Sequence, residues 1–402
     1  MCQRYDSYSM PSLYHTPPST IKAIPPAATN QQHLGIFIYK NRDGGVEKML
    51  TNLALGCQQL GINVDLIVSD SNGPFIRSLP TAIRIIDIGM GSTKQSTRKL
   101  ANYLQQEKPD VLLTGKPSDD RIILHARKIA RSNTRCFFCT GTAVSRQINE
   151  RNFNPLRKKL KLLRKKFCYR SADGIIATSY WVANDIAAIS GLPIDSIEVI
   201  GNPLFTPEMA TKALQPVDHP TFLPDQYPII VSAGRLSHEK DFSTLLHAIK
   251  LVREDRPARL FILGDGPEKD KLINLAQELN IEQAVFFPGF IENPLAYFAK
   301  AHVFVLSSLW EGFGNVLVEA MAVGTSVVTT DCPGGPRDIL QQGRYGKLVP
   351  VGDSPNMARA LLETLDKPMP CELLVDAAKE YSIEKISRHY IKTMGLTTSS
   401  PL

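Results

Sequence analysis

Long apolar segments are missing from this chain. No run reaches the ~20 consecutive apolar residues that a membrane-spanning helix needs. The N-terminal stretch MCQRYDSYSMPSLYHTPPST also lacks the apolar core of a secretory signal. We therefore expect a cytoplasmic protein without a spanning helix.

Patterns for metal binding and for disulfide frameworks are missing as well. The seven cysteines are scattered, which fits a reducing compartment. Cys136 and Cys139 form a C-x-x-C, but positions three apart on a strand face opposite sides of a sheet, so we interpret them as buried free thiols. A second C-x-x-C, an H-E-x-x-H and a D-x-D are all absent. The sequence therefore predicts neither a zinc site nor a divalent metal held by carboxylates.

The dinucleotide-binding fingerprint is not present either. The turn Asp43 to Lys48, DGGVEK, follows an apolar strand and opens a helix at Gly44 and Gly45, which suits an anion. It is not a G-x-G-x-x-G, and the nearest acidic residue at a second strand end, Asp70, comes too late. A hydride-transfer enzyme is therefore disfavoured.

What the chain does contain is a regular alternation of strands and helices. Its 402 residues, 43% hydrophobic and 21% charged, are typical of a soluble protein with two domains. The strands are almost continuously apolar, which indicates parallel sheets covered on both faces. The predicted organisation is a loose tail (1–32), an N-terminal Rossmann-like domain (33–205), a proline-rich linker (206–227), a C-terminal Rossmann-like domain (228–375) and a C-terminal helix able to cross back to the first domain (376–395).

The stretch Ser307 to Gly324, SSLWEGFGNVLVEAMAVG, is the most informative part of the sequence. Glu311 lies in a loop directly after an apolar strand, and Glu319 follows inside a helical pattern. Gly312 and Gly314 between them allow a backbone to approach a ligand. A glycine turn that opens a helix favours an anion, so two flanking carboxylates suggest a ligand with phosphates and hydroxyls, such as a nucleotide sugar.

Glu319 and the pair Arg235 and Lys240 each allow two interpretations, a functional one and an ordinary structural one. Periodicity places Glu319 opposite the apolar stripe of its helix, as for a solvent residue, yet Val316 and Val318 make that face largely apolar. Arg235 and Lys240, after the first strand of the second half, could both reach one diphosphate. They could equally be ordinary surface residues of a loop.

A basic segment occupies the middle of the chain. The run RKKLKLLRKK carries seven basic residues and no acidic one, and the helix predicted from Leu156 to Arg170 interleaves them with leucines and Phe167. One interpretation is a solvated helix face. The other is peripheral contact with an anionic membrane, which would place the protein on the inner face of that membrane. We expect no nucleic-acid partner.

The second half also carries a series of motifs in a fixed order: GRLSHEKD, LFILGDGPEKDKL, VFFPGF and VFVLSSLWEGFGNVLVEAMAVGTSVVTTDCPGGPRDIL. This series, from about Ile229 to Val349, closely resembles the retaining GT-B glycosyltransferases of family four, also described as glycosyl transferases group 1. The first half is similar mainly through GGVEK and its alternating pattern. The resemblance implies an α/β GT-B fold, in which two Rossmann-like domains with parallel sheets face each other across a cleft. It also implies that the first of these domains binds the acceptor and the second binds the donor nucleotide.

The resemblance also implies roles by position. Arg235 and Lys240 would hold the donor diphosphate and stabilise its departure, facing the two carboxylates across the cleft. Glu311 would contact the hydroxyls of the donor sugar, and Glu319 the ribose. Other positions similar to the donor-binding residues of the family are Gly45 and Gly234 near phosphate, Phe290 and Ile291 near the base, Gly312, Phe313 and Gly314 around the sugar, and the backbone amides of Asn315, Val316 and Leu317.

One position departs from the family. Many relatives carry a His near the end of the strand that here reads CFFCTGTAVSR, where this chain has Thr140, Gly141 and Thr142. A general-base or backbone-carbonyl role of that His therefore does not carry over. In the retaining mechanism suggested for the fold, the leaving diphosphate itself can accept the acceptor's proton.

The activity implied by the resemblance is metal-independent transfer of a hexosyl-type sugar with retention. The donor would be a nucleotide-diphosphate sugar, with a UDP-sugar favoured, and the acceptor a glycan or lipid-linked molecule in lipopolysaccharide or cell-surface polysaccharide synthesis. No cofactor other than the donor substrate is expected. A nucleotide-sugar epimerase of the same fold is the main alternative, and a catalytically silent binding protein is a weaker one.

Overall fold

A computed structural model describes residues 32–39, 44–77, 79–150 and 153–397 of the chain. The predicted loose tail, apart from Gln32, lies outside these residues. Two parallel sheets make up the strand content of the described chain. They confirm the α/β class and the pair of Rossmann-like units expected from the sequence.

The first sheet has seven strands in the order β3-β2-β1-β4-β5-β6-β7, and every pairing is parallel. Its strands are β1 (His33–Ile38), β2 (Asn63–Val68), β3 (Arg84–Asp87), β4 (Val111–Thr114), β5 (Arg135–Thr140), β6 (Gly174–Ala177) and β7 (Ile197–Val199). The strand order reverses beside β1, so β1 and β4 end at the crevice where ligands of such sheets bind.

The second sheet has six parallel strands in the order β10-β9-β8-β11-β12-β13. The strands are β8 (Ile229–Ala233), β9 (Arg259–Leu263), β10 (Val285–Gly289), β11 (Val303–Leu306), β12 (Ser326–Thr330) and β13 (Lys347–Val349). Here the order reverses between β8 and β11, so the loops after these two strands lie side by side at one edge.

Helices cover both faces of each sheet, and their apolar sides form separate cores above and below it. The helices up to β8 are α1 (Gly45–Gln59), α2 (Pro74–Arg77), α3 (Thr93–Glu107), α4 (Asp120–Ala130), α5 (Val144–Glu150), α6 (Pro155–Arg170), α7 (Tyr180–Ser190) and α8 (Glu208–Ala213). Those after β8 are α9 (Phe242–Asp255), α10 (Lys269–Glu278), α11 (Pro294–Lys300), α12 (Asn315–Ala322), α13 (Pro336–Ile339), α14 (Ser354–Asp366), α15 (Cys371–Lys379) and α16 (Ile383–Thr393).

Local sequence accounts for several of these boundaries. Ser92 begins α3 with a capping box shared with Gln95, and Asn154 and Ser179 cap the first turns of α6 and α7 with their side chains. On β5, Cys136 and Cys139 are both buried but belong to cores on opposite faces of the sheet. They are free thiols that do not face each other, as the strand periodicity predicts.

The end of the chain differs from the single helical pattern read from the sequence over Ala377 to Met394. The structure divides it into α15 and α16, because Ser382 accepts a hydrogen bond from the N–H of Lys385 and starts a new helix. α15 packs on α12 of the second half. α16 packs on α1, and its Tyr390 is fully buried in a core of the first sheet.

The segment 206–227 contains a helix, although its sequence shows little periodicity. Helix α8 packs on α11, and Met209 and Phe222 are buried in a core of the second sheet. The backbone that links the two halves lies just before this segment. There Leu204 and Phe205 both donate hydrogen bonds to the carbonyl of Tyr381, in the turn between α15 and α16. The two chain crossings between the halves are thus held against each other.

None of the helices in the described ranges combines the length and the apolar character that crossing a membrane would require.

Candidate active site

A largely buried ion pair lies at the carboxyl edge of the second sheet. Lys240, in the loop after β8, places its Nζ 2.5 Å from Oε1 of Glu311, in the loop after β11. Ser308 donates to the same oxygen at 2.6 Å. The sequence placed Lys240 across the cleft from the carboxylates. That is wrong, because the reversal of strand order puts the two loops on one side, in direct contact.

The backbone around Glu311 is held from several sides. The Ser307 hydroxyl donates to the carbonyl of Lys240 at 2.7 Å, and the N–H of Glu311 donates to the carbonyl of Pro333 at 2.9 Å. Gly334 packs so closely that a Cβ there would lie 2.0 Å from the Glu311 carbonyl oxygen. The carboxylate is therefore fixed by packing as well as by its counter-ion.

Helix α12 begins directly after this loop. Gly314 precedes it with a φ of 102°, a left-handed conformation that favours glycine. The N–H of Leu317 already donates to the carbonyl of Gly314 at 2.9 Å, because the first turn is tightly wound. The N–H of Leu317 is therefore engaged in this conformation, and contact of the amides of Asn315, Val316 and Leu317 with phosphate stays a prediction.

Glu319, on the next turn of α12, is buried and reaches across to the first half. Its Oε1 lies 2.6 Å from Nζ of Lys48 on α1. The side chain of Glu319 is 6% exposed and that of Lys48 is 31% exposed. Periodicity alone placed this Glu towards solvent, whereas the second domain buries it against a cation from the first.

The first turns of α1 and α12 face each other along this contact. A Cβ on Gly45 would lie 3.1 Å from Nδ2 of Asn315, and Oδ1 of Asn315 accepts from Nδ2 of Asn202 at 2.7 Å. Two helix N-termini and two lysines, Lys48 and Lys240, thus converge on one region with the carboxylates. The partial positive charge of helix N-termini favours an anion between them.

Two more contacts close the cleft beside Glu311. The guanidinium of Arg146 on α5 lies 3.8 Å from the ring centre of Trp310, a distance that allows a cation–π interaction. Gly312 packs on the loop after β5, where a Cβ on Gly312 would lie 1.7 Å from the carbonyl oxygen of Gly141. The loop that carries Glu311 therefore touches the first domain on both sides of that residue.

The other residues predicted for the site differ in exposure and in what they contact. Arg235 is exposed, and among the described residues its guanidinium has no ion pair. Phe290, at the end of β10, is 73% exposed, while Ile291 packs at the edge of a second-domain core. Phe313 is buried edge-on against Tyr381, with ring centres 5.3 Å apart. Gly234 packs against the side chain of Lys240.

Several residues near the cleft were not singled out from the sequence. Lys48 and Glu47 lie within the quoted GGVEK motif, and Glu47 is buried in an ion pair with Lys116, from the loop after β4. Asp119 in the same loop accepts from the N–H of Tyr39, at the end of β1, at 3.0 Å. Burial raises the pKa of Asp119 to about 6, although the hydrogen bonds from Ser118 and Tyr39 act in the opposite direction.

No group of three or more His, Cys, Asp or Glu side chains in the described ranges is arranged to hold a metal ion.

Two facing parallel sheets, with this polar cluster between their carboxyl edges, define the GT-B class of glycosyltransferases. Known proteins agree with that assignment. The family model for glycosyl transferases group 1 matches residues 217–381, and the model for glycosyltransferase family 4 matches residues 43–206. The chain is 30% identical to N-acetylgalactosamine-N,N'-diacetylbacillosaminyl-diphospho-undecaprenol 4-alpha-N-acetylgalactosaminyltransferase of Campylobacter jejuni, over 83% of this chain and 90% of that one. The chain therefore belongs to the group 1 glycosyltransferases.

Further relatives and solved structures extend the comparison. Lipopolysaccharide core biosynthesis glycosyltransferase LpsE of Rhizobium meliloti is 25% identical over 87% of this chain and 94% of its own. The fold matches that of Anabaena HepE in complex with UDP-glucose with a TM-score of 0.73 and 19% identity, over 91% of this chain and all of that one. The lipopolysaccharide outer core galactosyltransferase WaaB matches with a TM-score of 0.68 and 18% identity, over 90% and 99% of the two chains.

Proposed function

We propose that this glycosyltransferase moves a hexosyl-type sugar from a nucleotide-diphosphate sugar to a glycan or lipid-linked acceptor, with retention of the anomeric configuration. The observation that carries the proposal is the Lys240–Glu311 pair beside the start of α12. The pair brings together a cation that can bind phosphate and a carboxylate that can accept hydrogen bonds from sugar hydroxyls. UDP is the first candidate nucleotide, since HepE binds UDP-glucose on the same fold.

In this proposal the diphosphate carries the chemistry. The bond between the sugar's anomeric carbon and the phosphate oxygen breaks, and the acceptor oxygen bonds to the same carbon from the same face. The acceptor's proton passes to the leaving phosphate oxygen. Lys240, together with the exposed Arg235, stabilises the negative charge that develops there, and in many enzymes such electrostatic stabilisation contributes most to the rate enhancement. Because these cations neutralise the diphosphate, we propose that no metal is required.

The two carboxylates have separate roles. Ser308 and Lys240 both contact Oε1 of Glu311, which fixes that carboxylate for hydrogen bonds from the donor sugar's hydroxyls. Glu319, one turn into α12, would accept from the ribose. The remaining donor contacts proposed are Phe290 and Ile291 at the base, Gly45, Gly234, Asn315 and Val316 at phosphate, and Gly312, Phe313 and Gly314 near the sugar.

A membrane-bound acceptor is favoured by the surface of the first domain. Four apolar side chains form one stripe along α6 and are exposed: Leu156, Leu160, Leu163 and Phe167. Beside the stripe, α4 and α6 border an open groove of about 600 Å³. Its cationic side chains are Arg121, Arg127, Lys128 and Arg131, and only Arg127 is paired with an acid among the described residues. Apolar side chains beside unpaired cations suit a bilayer with anionic headgroups.

The C. jejuni relative is named for a diphospho-undecaprenol substrate, and LpsE for lipopolysaccharide core biosynthesis. These names support an acceptor from cell-surface glycan synthesis, reached from the cytoplasmic face of the membrane.

The donor is tested by thermal unfolding with UDP, GDP, ADP and their sugars, since a ligand that binds only the folded state raises its stability. The expected result is a specific shift with one nucleotide family, after which that donor is assayed with lipid-linked and glycan acceptors. NMR of the product gives the anomeric configuration, and a chelator should leave the rate unchanged. An inverted product would overturn retention, and conversion of the donor to an epimer without acceptor would favour the epimerase alternative.

A further inference from the structure

The cation that contacts Glu319 comes from the opposite domain. Lys48 and Glu319 lie 271 positions apart in sequence, yet their charged atoms are 2.6 Å apart. Both residues stand on rigid elements, in the early turns of α1 and α12. The contact therefore exists only while those two helices face each other.

Burial makes this partner necessary for Glu319. A carboxylate removed from water is costly unless a counter-ion or hydrogen bonds compensate it. Lys48 occupies Oε1 of Glu319, and the apolar neighbours on α12, Val318 and Ala320, are fully buried. If the cleft opened, Glu319 would lose its counter-ion.

A second contact follows the same line between the domains. Asn315, four positions before Glu319, lies against Gly45, three positions before Lys48. Asn202, shortly after β7, also donates a hydrogen bond from its side-chain amide to Oδ1 of Asn315. One face of the first turn of α1 thus meets one face of α12 at two successive positions, so the Lys48 contact is part of a built interface.

We propose that Lys48 is a positioning residue for the donor site: it ties Glu319 to the first domain, so that the carboxylate is presented to the nucleotide only in the closed cleft. The proposal rests on the proposed function, in which Glu319 accepts a hydrogen bond from the ribose of the donor. With Lys48 on Oε1, Oε2 is directed to a ribose hydroxyl. Donor binding and cleft closure then stabilise each other, because one carboxylate serves both.

The test compares Lys48→Met, Lys48→Arg and Glu319→Gln with the wild-type protein. We expect Lys48→Met to raise the donor KM about tenfold with little change in kcat, since the lost interaction favours donor binding and not the transfer step. Lys48→Arg should restore most of the affinity. Lys48→Met should add little in a Glu319→Gln background, because the two residues act through one contact. Lys347→Met, which breaks an exposed ion pair with Glu363, is the matched control.

A ligand-free measurement separates this inference from the proposed function. Small-angle scattering and hydrogen exchange on the protein without nucleotide should show a more open cleft and faster exchange in the first turns of α1 and α12 for Lys48→Met, but not for Lys347→Met. If no nucleotide binds the wild-type protein, the proposed function fails while this readout still decides the role of Lys48. An unchanged or lowered donor KM, or a cleft that stays closed in Lys48→Met, would overturn the inference.

Discussion

Gly312 of the second domain lies directly against the carbonyl oxygen of Gly141 in the first. A Cβ at Gly312 would come within 1.7 Å of that oxygen, a distance that real Cβ atoms do not tolerate. The backbone of Gly312 is not left-handed. Glycine is therefore needed here because it has no side chain, and not because of its conformational freedom. The residue beside Glu311 thus sets how closely the two domains approach.

We therefore predict that Gly312→Ala keeps both domains folded but holds the cleft partly open. Transfer activity should fall by about 100-fold, since misplacement by an ångström carries a cost of that order. Gly141→Ala is the matched control, because its Cβ would meet only Thr178 at 3.6 Å, an ordinary contact. Initial rates and thermal unfolding of both variants provide the check. Equal rates in the two variants would contradict the prediction.

Lys240→Ala and Glu311→Ala should each reduce transfer by about 100- to 1,000-fold, as losing one charge-stabilising or orienting group does in other active sites. Each change leaves a largely buried charge without its partner, so the melting temperature should fall measurably while the protein stays folded at the assay temperature. Lys347→Ala, from an exposed ion pair, serves as the control. Steady-state kinetics with the identified donor gives the answer, and full activity in either variant would remove that residue from the mechanism.

The apolar stripe on α6 predicts reversible binding to anionic vesicles. Sedimentation with phosphatidylglycerol vesicles at low salt should pull down the wild-type protein, and binding should weaken as salt screens the basic groove. Leu163→Glu with Phe167→Glu should abolish binding without unfolding the chain, because both side chains are exposed. Leu214→Glu changes an equally exposed apolar residue outside the stripe and should bind normally. Sedimentation of the double variant at wild-type levels would exclude α6 as the contact.

Asp119 predicts a specific pH dependence of stability. Burial raises its pKa to about 6 in the folded protein, above its unfolded value near 4. The folded state therefore binds more protons in this interval, and the contribution of Asp119 to the free energy of unfolding falls as pH rises from about 4 to about 6. Two pKa units correspond to roughly 3 kcal/mol.

Replacing Asp119 with Asn should remove this contribution, while its amide oxygen still accepts the N–H of Tyr39. Relative to wild type, Asp119→Asn should gain stability between pH 4 and pH 7, by up to roughly 3 kcal/mol. Urea unfolding at both pH values measures the difference. A constant difference across that range would show that Asp119 does not titrate there.

The sequence was sufficient for features that depend on local pattern. Apolar strands separated by helices predicted the two parallel sheets, and strand periodicity predicted that Cys136 and Cys139 face apart. Motif resemblance identified the family. Lys240 and Glu311, predicted as separate parts of the donor site, do lie together, because both follow strands that end at one sheet edge.

Contacts between the two domains could not be predicted from local sequence patterns. The sequence around Lys48 is that of an ordinary helix and does not indicate that α12 lies opposite. The sequence around Trp310 likewise does not indicate Arg146 as its partner. The break at Ser382 was missed because the apolar spacing continues through it. The capping serine was the available signal, since Ser is a frequent first residue before a helix.

The return of α16 to the first sheet has a consequence for how the protein can be divided. Tyr390 from the end of the sequence is buried among residues from its beginning, so the second domain is in effect an insertion within the first. A fragment that stops after β7 would leave a face of α1 without its cover. A stable fragment of the first domain needs both the segment up to β7 and α16, joined by a short connection in place of the inserted domain.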